Sequence, residues 1–348
     1  MRFQFYSEAL AGVPKLSVDG TVPNSVHFSH WNGNETATEL KADTSTEIAL
    51  TLVTSPNQDQ FTKNIDLVTN NHFDTDGVLS VWTVMTGERA AKYHDVLISA
   101  AEAGDFSEYS SADGVRISLA IQGSDQAGPE DDAGSPFARM LAGEDVTDDA
   151  HCYELILPKL EDLLININNY EALWLAGWKK IVDALESFDR GSSKVTEFKD
   201  SKLSLVMLAP EIFSGSGFNP TRHSAPYTAI SKFVHGELFV IAIPSGDGWF
   251  YRIDYPYYSW AETVERPRID RRDLTQPLAQ LNQLEQTSAR WKEDTREMTS
   301  AAKFLNQDGT LAASRLQPDV VAKAFSEQVR LAKIYRLQNL TLLFRKLG

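Results

Sequence analysis

The stretch from residue 65 to residue 85 constrains the fold most, because it reads as a strand, a loop and a helix in immediate succession. Ile65-Asp66-Leu67-Val68-Thr69 is a short apolar run suited to a central strand, and Val78, Leu79, Val81, Trp82 and Met85 then recur at helical spacing. Between them lies Asn70-Asn71-His72-Phe73-Asp74-Thr75-Asp76-Gly77, whose glycine lets the backbone turn into the helix. The same order occurs upstream. Val26-His27-Phe28 leads through Ser29-His30-Trp31-Asn32-Gly33-Asn34, with an Asn-Gly turn, to a helix start at Asp43-Thr44-Ser45-Thr46-Glu47. There Asp43 or Thr44 caps the helix and Glu47 reaches back, ahead of Ile48, Leu50, Leu52 and Val53. A further helix fits Ala91 to Ala103 and ends in Gly104-Asp105. Such alternation predicts an α/β fold: an N-terminal, mainly parallel sheet with flanking helices, and ligands gathered at the carboxyl ends of its strands.

A chain of 348 residues is long for a single core, so two domains are expected. Residues 123–150 mix Gly, Pro and Ser with eight acidic residues against the lone Arg139, the composition of an exposed connector. From Tyr153 to Leu185 the periodicity is helical. Past residue 193 the pattern alternates, through Leu203, Leu205 and Met207 to the run Leu238–Ile243. The Ser245-Gly246-Asp247-Gly248 turn then joins that run to Trp249–Asp254, a hairpin signature. The expected divisions are an α/β domain at 1–122, an acidic connector and helical segment at 123–192, and a smaller α+β domain at 193–348. The last stretch, 315–348, carries seven basic against two acidic residues and reads as an amphipathic helix.

The formal charge of −15 argues against general nucleic-acid binding, which needs a concentrated basic face, but leaves room for a small phosphorylated ligand. With one cysteine, Cys152, no internal disulfide is possible, and that residue is expected to serve as a small buried hydrophobe. No run reaches the roughly 18 apolar residues of a membrane span. A cytoplasmic protein without membrane contact is the expectation.

Chemistry concentrates at His72, Asp74 and Asp76. Alternate spacing aims three such side chains one way, and mixed imidazole and carboxylate donors suit Mn²⁺, Mg²⁺, Fe²⁺ or Zn²⁺. Two ions a few Å apart would polarise a phosphoryl oxygen and activate a water. The competing reading makes an aspartate the cap of the following helix, with His72 satisfied in a turn.

The run from Asn70 to Ser80 resembles the paired-aspartate motif of the DHH phosphoesterase superfamily, metal-dependent hydrolases of phosphoesters and phosphoanhydrides. Asp74 and Asp76 match the aspartates, and His72 lies near an extra ligand of some members. Leu97–Phe106 is similar to the later motif in which an apolar helix ends in a metal-binding aspartate, here Asp105. Val26–Asn34 resembles, more loosely, the Asp-His-His segment, with His30 in the place of its first histidine. Ser29 and Trp31 stand where that motif has its aspartate and second histidine, and the order of the motifs is changed, as a circular permutation would change it. Over its whole length the chain resembles an uncharacterised bacterial family of unknown function.

The resemblance implies a metal-dependent phosphoester or phosphoanhydride hydrolase. Its ligands would be His30, His72, Asp74, Asp76 and Asp105, with His30, His72, Asp74 and Asp76 at the reacting centre and Mn or Mg as the cofactor. Candidate substrate-binding residues come from the basic cluster Arg266-Pro267-Arg268-Ile269-Asp270-Arg271-Arg272, through Arg266 and Arg268. Thr221-Arg222-His223-Ser224 adds Arg222 and His223 ahead of a helix-like run. The alternative is a non-catalytic protein that binds a ligand or partner on a degenerate phosphoesterase fold. No P-loop, G-x-G-x-x-G, H-E-x-x-H or G-x-S-x-G pattern occurs.

Overall fold

Four short strands, β1 (Arg2–Phe3), β2 (Leu16–Val18), β3 (Val26–Phe28) and β4 (Leu67–Thr69), pair in the order β1-β4-β2-β3, every neighbouring pair parallel. The computed structural model that shows them describes residues 1–123, 134–210, 224–246, 248–294 and 299–327. The sheet belongs to a unit made of Met1–Val182, Pro226–Lys232 and Trp260–Arg268. Among the described residues its helices are α1 (Ser45–Thr54), α2 (Gln58–Thr62), α3 (Thr75–Thr86), α4 (His94–Asp105), α5 (Ala112–Gln122), α6 (Pro136–Ala142), α7 (Asp149–Ile156), α8 (Leu160–Ile165) and α9 (Glu171–Asp189), the last running on past the unit's edge, with a short helix at Tyr227–Ser231. Parallel strands cannot be joined by tight turns, so α1 and α2 carry the chain from β3 to β4.

Helix α3 is buried on all sides, every residue from Thr75 to Val84 included, because α1 and α4 pack against it. The start of α1 follows the expected capping chemistry. Thr44 accepts the Glu47 amide at 3.2 Å, and the Glu47 carboxylate accepts the Asp43 amide at 3.2 Å. Of the acidic stretch 123–150, residues 124–133 lie outside the described residues, while the remainder carries α6 and the start of α7. The helical run from Tyr153 to Leu185 is broken into α7, α8 and α9 by two short 3-10 turns. Cys152 is buried and unpaired.

The second unit contains Asp183–Ala225, Phe233–Ser259 and Ile269–Gly348. Strands β5 (Lys194–Phe198), β6 (Leu203–Met207), β7 (Leu238–Ser245), β8 (Gly248–Asp254), β9 (Arg290–Glu293) and β10 (Ser300–Leu305) form a sheet of order β5-β6-β7-β8-β10-β9. Only β6 and β7 run parallel; the expected β7–β8 hairpin is present, closed by Ser245 opposite Gly248. One face of this sheet buries Leu205, Val240, Ile253, Trp291 and Phe304 against a helix at Thr275–Leu284 and Val321–Phe325. Of the predicted C-terminal helix, residues 318–327 are helical and 328–348 lie outside the described residues.

Candidate metal centre

The carboxyl ends of three adjacent strands place the site, as the parallel sheet requires. Asp19 follows β2 directly, His30 lies two residues beyond β3, and the loop after β4 carries His72 and Asp74 into α3, whose first turn holds Asp76. Asp105 is the last residue of α4. Two ligand sets result, Asp19 with His30, Asp76 and Asp105, and Asp19 with His72 and Asp74, each with donor atoms within 4.8 Å of one another. Asp19 belongs to both. Its Oδ1 lies 3.7 Å from His30 Nε2 and its Oδ2 2.7 Å from His72 Nε2, so the two oxygens face different sets, as in a bridging carboxylate.

The histidine orientations are fixed from behind. His30 Nδ1 lies 2.7 Å from the Asp43 carbonyl oxygen, which can only accept, so Nδ1 carries a hydrogen and Nε2 faces the carboxylates. His72 Nδ1 makes the corresponding contact with Asn71 Oδ1 at 3.0 Å. His30 Nε2 is 3.1 Å from Asp105 Oδ2 and 3.9 Å from Asp76 Oδ2, and His72 Nε2 is 3.0 Å from Asp74 Oδ2. Yet both Nε2 atoms and Asp19 Oδ2 are buried and make no hydrogen bond. Carboxylate oxygens nevertheless lie within ion-pair distance of both ring nitrogens. Buried carboxylates and imidazoles this close need a compensating charge, which a proton on each imidazole or a cation shared among the donors would supply.

Asp74 combines both readings of its motif. It caps α3, its Oδ1 accepting the Gly77 amide at 2.7 Å, while Oδ2 turns to His72. Asp76 accepts the amides of Ser45 and Thr46 at the start of α1, each at 2.7 Å, which fixes its carboxylate at a favourable end of a helix dipole. Asp105 has the opposite setting, the carbonyl end of α4, where negative charge is disfavoured.

The electrostatics are those of crowded anions. Burial pushes the Asp76 pKa up to about 6, helped by the charge of Asp19 and opposed by His30. Burial and the nearby Asp74 push Asp105 well above the carboxylate range. Burial would likewise raise Asp19, but His72, His30 and Ser45 more than offset it and hold its pKa low. Burial alone would lower His30, but Asp105 and Asp76 outweigh it and lift it to about 10. His72 behaves in the same way and rises to about 11 under Asp74 and Asp19. With the imidazoles neutral and all four carboxylates ionised, the cluster would carry four negative charges, which two divalent ions would balance.

The structure thus brings His30, His72, Asp74, Asp76 and Asp105 together. Arg266 is placed behind His30 rather than among these donors: its guanidinium donates to Asp43 at 2.8 Å and to Glu102 and Glu108 at 2.6 Å each. Arg268 is exposed. Arg222 and His223 lie outside the described residues. Asp19, absent from the sequence reading, is the central residue; the available signal was the run Leu16-Ser17-Val18-Asp19-Gly20, an apolar strand closed by Asp-Gly.

Positioning residues surround it. The Asn70 side chain accepts the Gly20 and Asn71 amides and donates to the Tyr153 hydroxyl, which donates to the His72 carbonyl. Asn70 therefore ties the loop after β2 to the loop after β4. Among the described residues no helix is long and apolar enough to cross a membrane.

The model of a family of unknown function (DUF6687) matches residues 1–327. No curated protein and no solved structure matches the chain.

Proposed function

The chain belongs to the DUF6687 family, and we propose that it is a metal-dependent hydrolase of a phosphoester or phosphoanhydride, acting through two divalent ions held on either side of Asp19. The observation that carries this reading is the pair of histidines. Each has its Nδ1 anchored, and each presents a buried Nε2 without a hydrogen bond to a set of carboxylates that share one residue. Donors of this kind suit Mn²⁺ or Mg²⁺ with imidazole support. Two such ions polarise a phosphoryl oxygen and lower the pKa of water.

The chain's own groups supply the rest. Asp19 fixes the spacing of the two sets, Asp74 and His72 form the side open to solvent, and Trp31, 5.1 Å from the His72 ring, bounds that side. The resemblance of residues 70–80 to the paired-aspartate motif of DHH phosphoesterases leans toward phosphorus as the electrophile.

The test is hydrolysis of p-nitrophenyl phosphate, bis(p-nitrophenyl) phosphate and pyrophosphate by chelator-treated protein, before and after addition of Mn²⁺ or Mg²⁺. Turnover is expected only with metal, and Asp19→Asn is expected to lose it by about 10²-fold or more, on the scale of removing one charge-stabilising group. Metal-independent turnover, or full activity in Asp19→Asn, would overturn the proposal. A metal-holding protein without hydrolytic activity is the second reading, favoured by the near-complete burial of the Asp19, His30, Asp76 and Asp105 set. Binding of Mn²⁺ without turnover of any of the three substrates selects it.

A further inference from the structure

The two ligand sets differ in number of donors and in access. Four residues make the set around His30, and their side chains are closed to solvent: His30, Asp19 and Asp76 at 0% and Asp105 at 5% exposure. Three residues make the set around His72, where His72 and Asp74 remain 26% and 29% exposed.

The inner set is also covered. The ring of His30 packs against Phe106, stacked at 5.7 Å, and Trp260, edge-on at 5.0 Å, the three rings forming one cluster. Trp260 begins a segment, 260–268, that is tied across this place. The Glu262 amide donates to the His30 carbonyl at 2.7 Å, and the Glu262 carboxylate accepts from Gly33, Asn34 and Lys41. The amides of Val264, Glu265 and Arg266 all donate to the Asp43 carboxylate, whose residue also holds His30 Nδ1 through its carbonyl. Arg266 extends the tie to Glu102 and Glu108, beside the α4 end that carries Asp105.

Resting on the two-ion reading, we infer that the two sites work differently: the inner ion is retained as part of the fold, and the outer ion exchanges with solvent and switches activity. Protein ligands fill the inner site, the arrangement of a structural metal, whereas the outer site keeps positions free for water and substrate, the arrangement of a catalytic one. Release of the inner ion requires the 260–268 segment to lift, while the outer ion leaves through the gap at His72 and Asp74. Activity therefore follows the free divalent-ion concentration through the outer site alone.

The experiment is equilibrium dialysis of the full chain against stepped Mn²⁺ concentrations, with elemental analysis of bound metal and the turnover assay on the same samples. Two binding steps are expected, at least about tenfold apart in Kd, with turnover rising on the second step only. His72→Ala is expected to keep the first step and lose the second, with its melting temperature still raised by one Mn²⁺ per chain. The Mn²⁺ electron paramagnetic resonance signal is expected to change from an isolated-ion pattern to a coupled-pair pattern between the steps. Two equal steps, or loss of both ions in a folded His72→Ala protein, would overturn the inference while leaving the two-ion reading intact. No bound Mn²⁺ at any concentration would overturn both.

Discussion

At the scale of the residue, the site turns on which nitrogen of each histidine faces the carboxylates. The Asp43 carbonyl leaves His30 no choice of tautomer, and Asn71 does the same for His72 through its amide oxygen. Asn71→Ala removes that acceptor without touching any of the six acidic and imidazole side chains of the centre. The expected result is a 10–100-fold weaker outer-site affinity for Mn²⁺, the usual scale for an outer-shell partner of a metal-binding histidine, read by titration. Unchanged affinity would mean that His72 is oriented by other contacts. Five of the six donor residues were legible in the sequence because they sit in motifs: His72, Asp74 and Asp76 within five residues, Asp105 at an apolar helix end, His30 in a polar loop. Asp19 was not. A lone Asp-Gly after a three-residue strand looks like any turn, and only the pairing of β2 between β3 and β4 makes it central.

At the scale of the element, three helix ends are brought together by close approach. A Cβ on Gly104 would lie 2.6 Å from Thr75 Cβ, where the end of α4 meets the start of α3, and Gln122 at the end of α5 bonds both Thr75 and Gly104. Gly104→Ala should force α3 and α4 apart and cost about 1–3 kcal/mol of overpacking. A gain in helix propensity of up to about 1 kcal/mol offsets part of that. The measure is chemical denaturation, with a parallel loss of Mn²⁺ affinity because Asp105, Asp74 and Asp76 are carried by the displaced ends. The strand–loop–helix units at β3–α1 and β4–α3 were legible from periodicity and capping, since local propensity and tertiary packing agree there. The 260–268 segment was not, because nothing local marks a loop that folds back over residues some 220 positions earlier. Of its two arginines, both expected to bind substrate, Arg266 is ion-paired with Asp43, Glu102 and Glu108.

At the scale of the whole molecule, the centre couples stability to pH in opposite senses with and without ions. Without them, His30 and His72 have folded pKa values raised to about 10 and about 11 against an ordinary 6.5. Their stabilisation is therefore complete below about pH 6.5 and fades as pH rises toward 10–11. Asp76, raised to about 6, acts in the same direction at lower pH, since the folded state favours its protonated form. The metal-free protein is thus expected to lose melting temperature steadily from pH 6.5 to 9.5. Loading must displace the imidazole protons, so Mn²⁺ affinity rises over the same range. Calorimetry at pH 7 in buffers of different ionisation enthalpy should show release of about two protons or more. Binding without proton release would mean that the histidines are not ligands.

The bridging role of Asp19 is tested most directly by anomalous diffraction at the manganese edge from crystals grown with Mn²⁺. Two peaks are expected, roughly 3.5–4 Å apart, one among His30, Asp76 and Asp105, the other between His72 and Asp74, with an oxygen of Asp19 on each. A single peak, or two peaks that do not share Asp19, would contradict it.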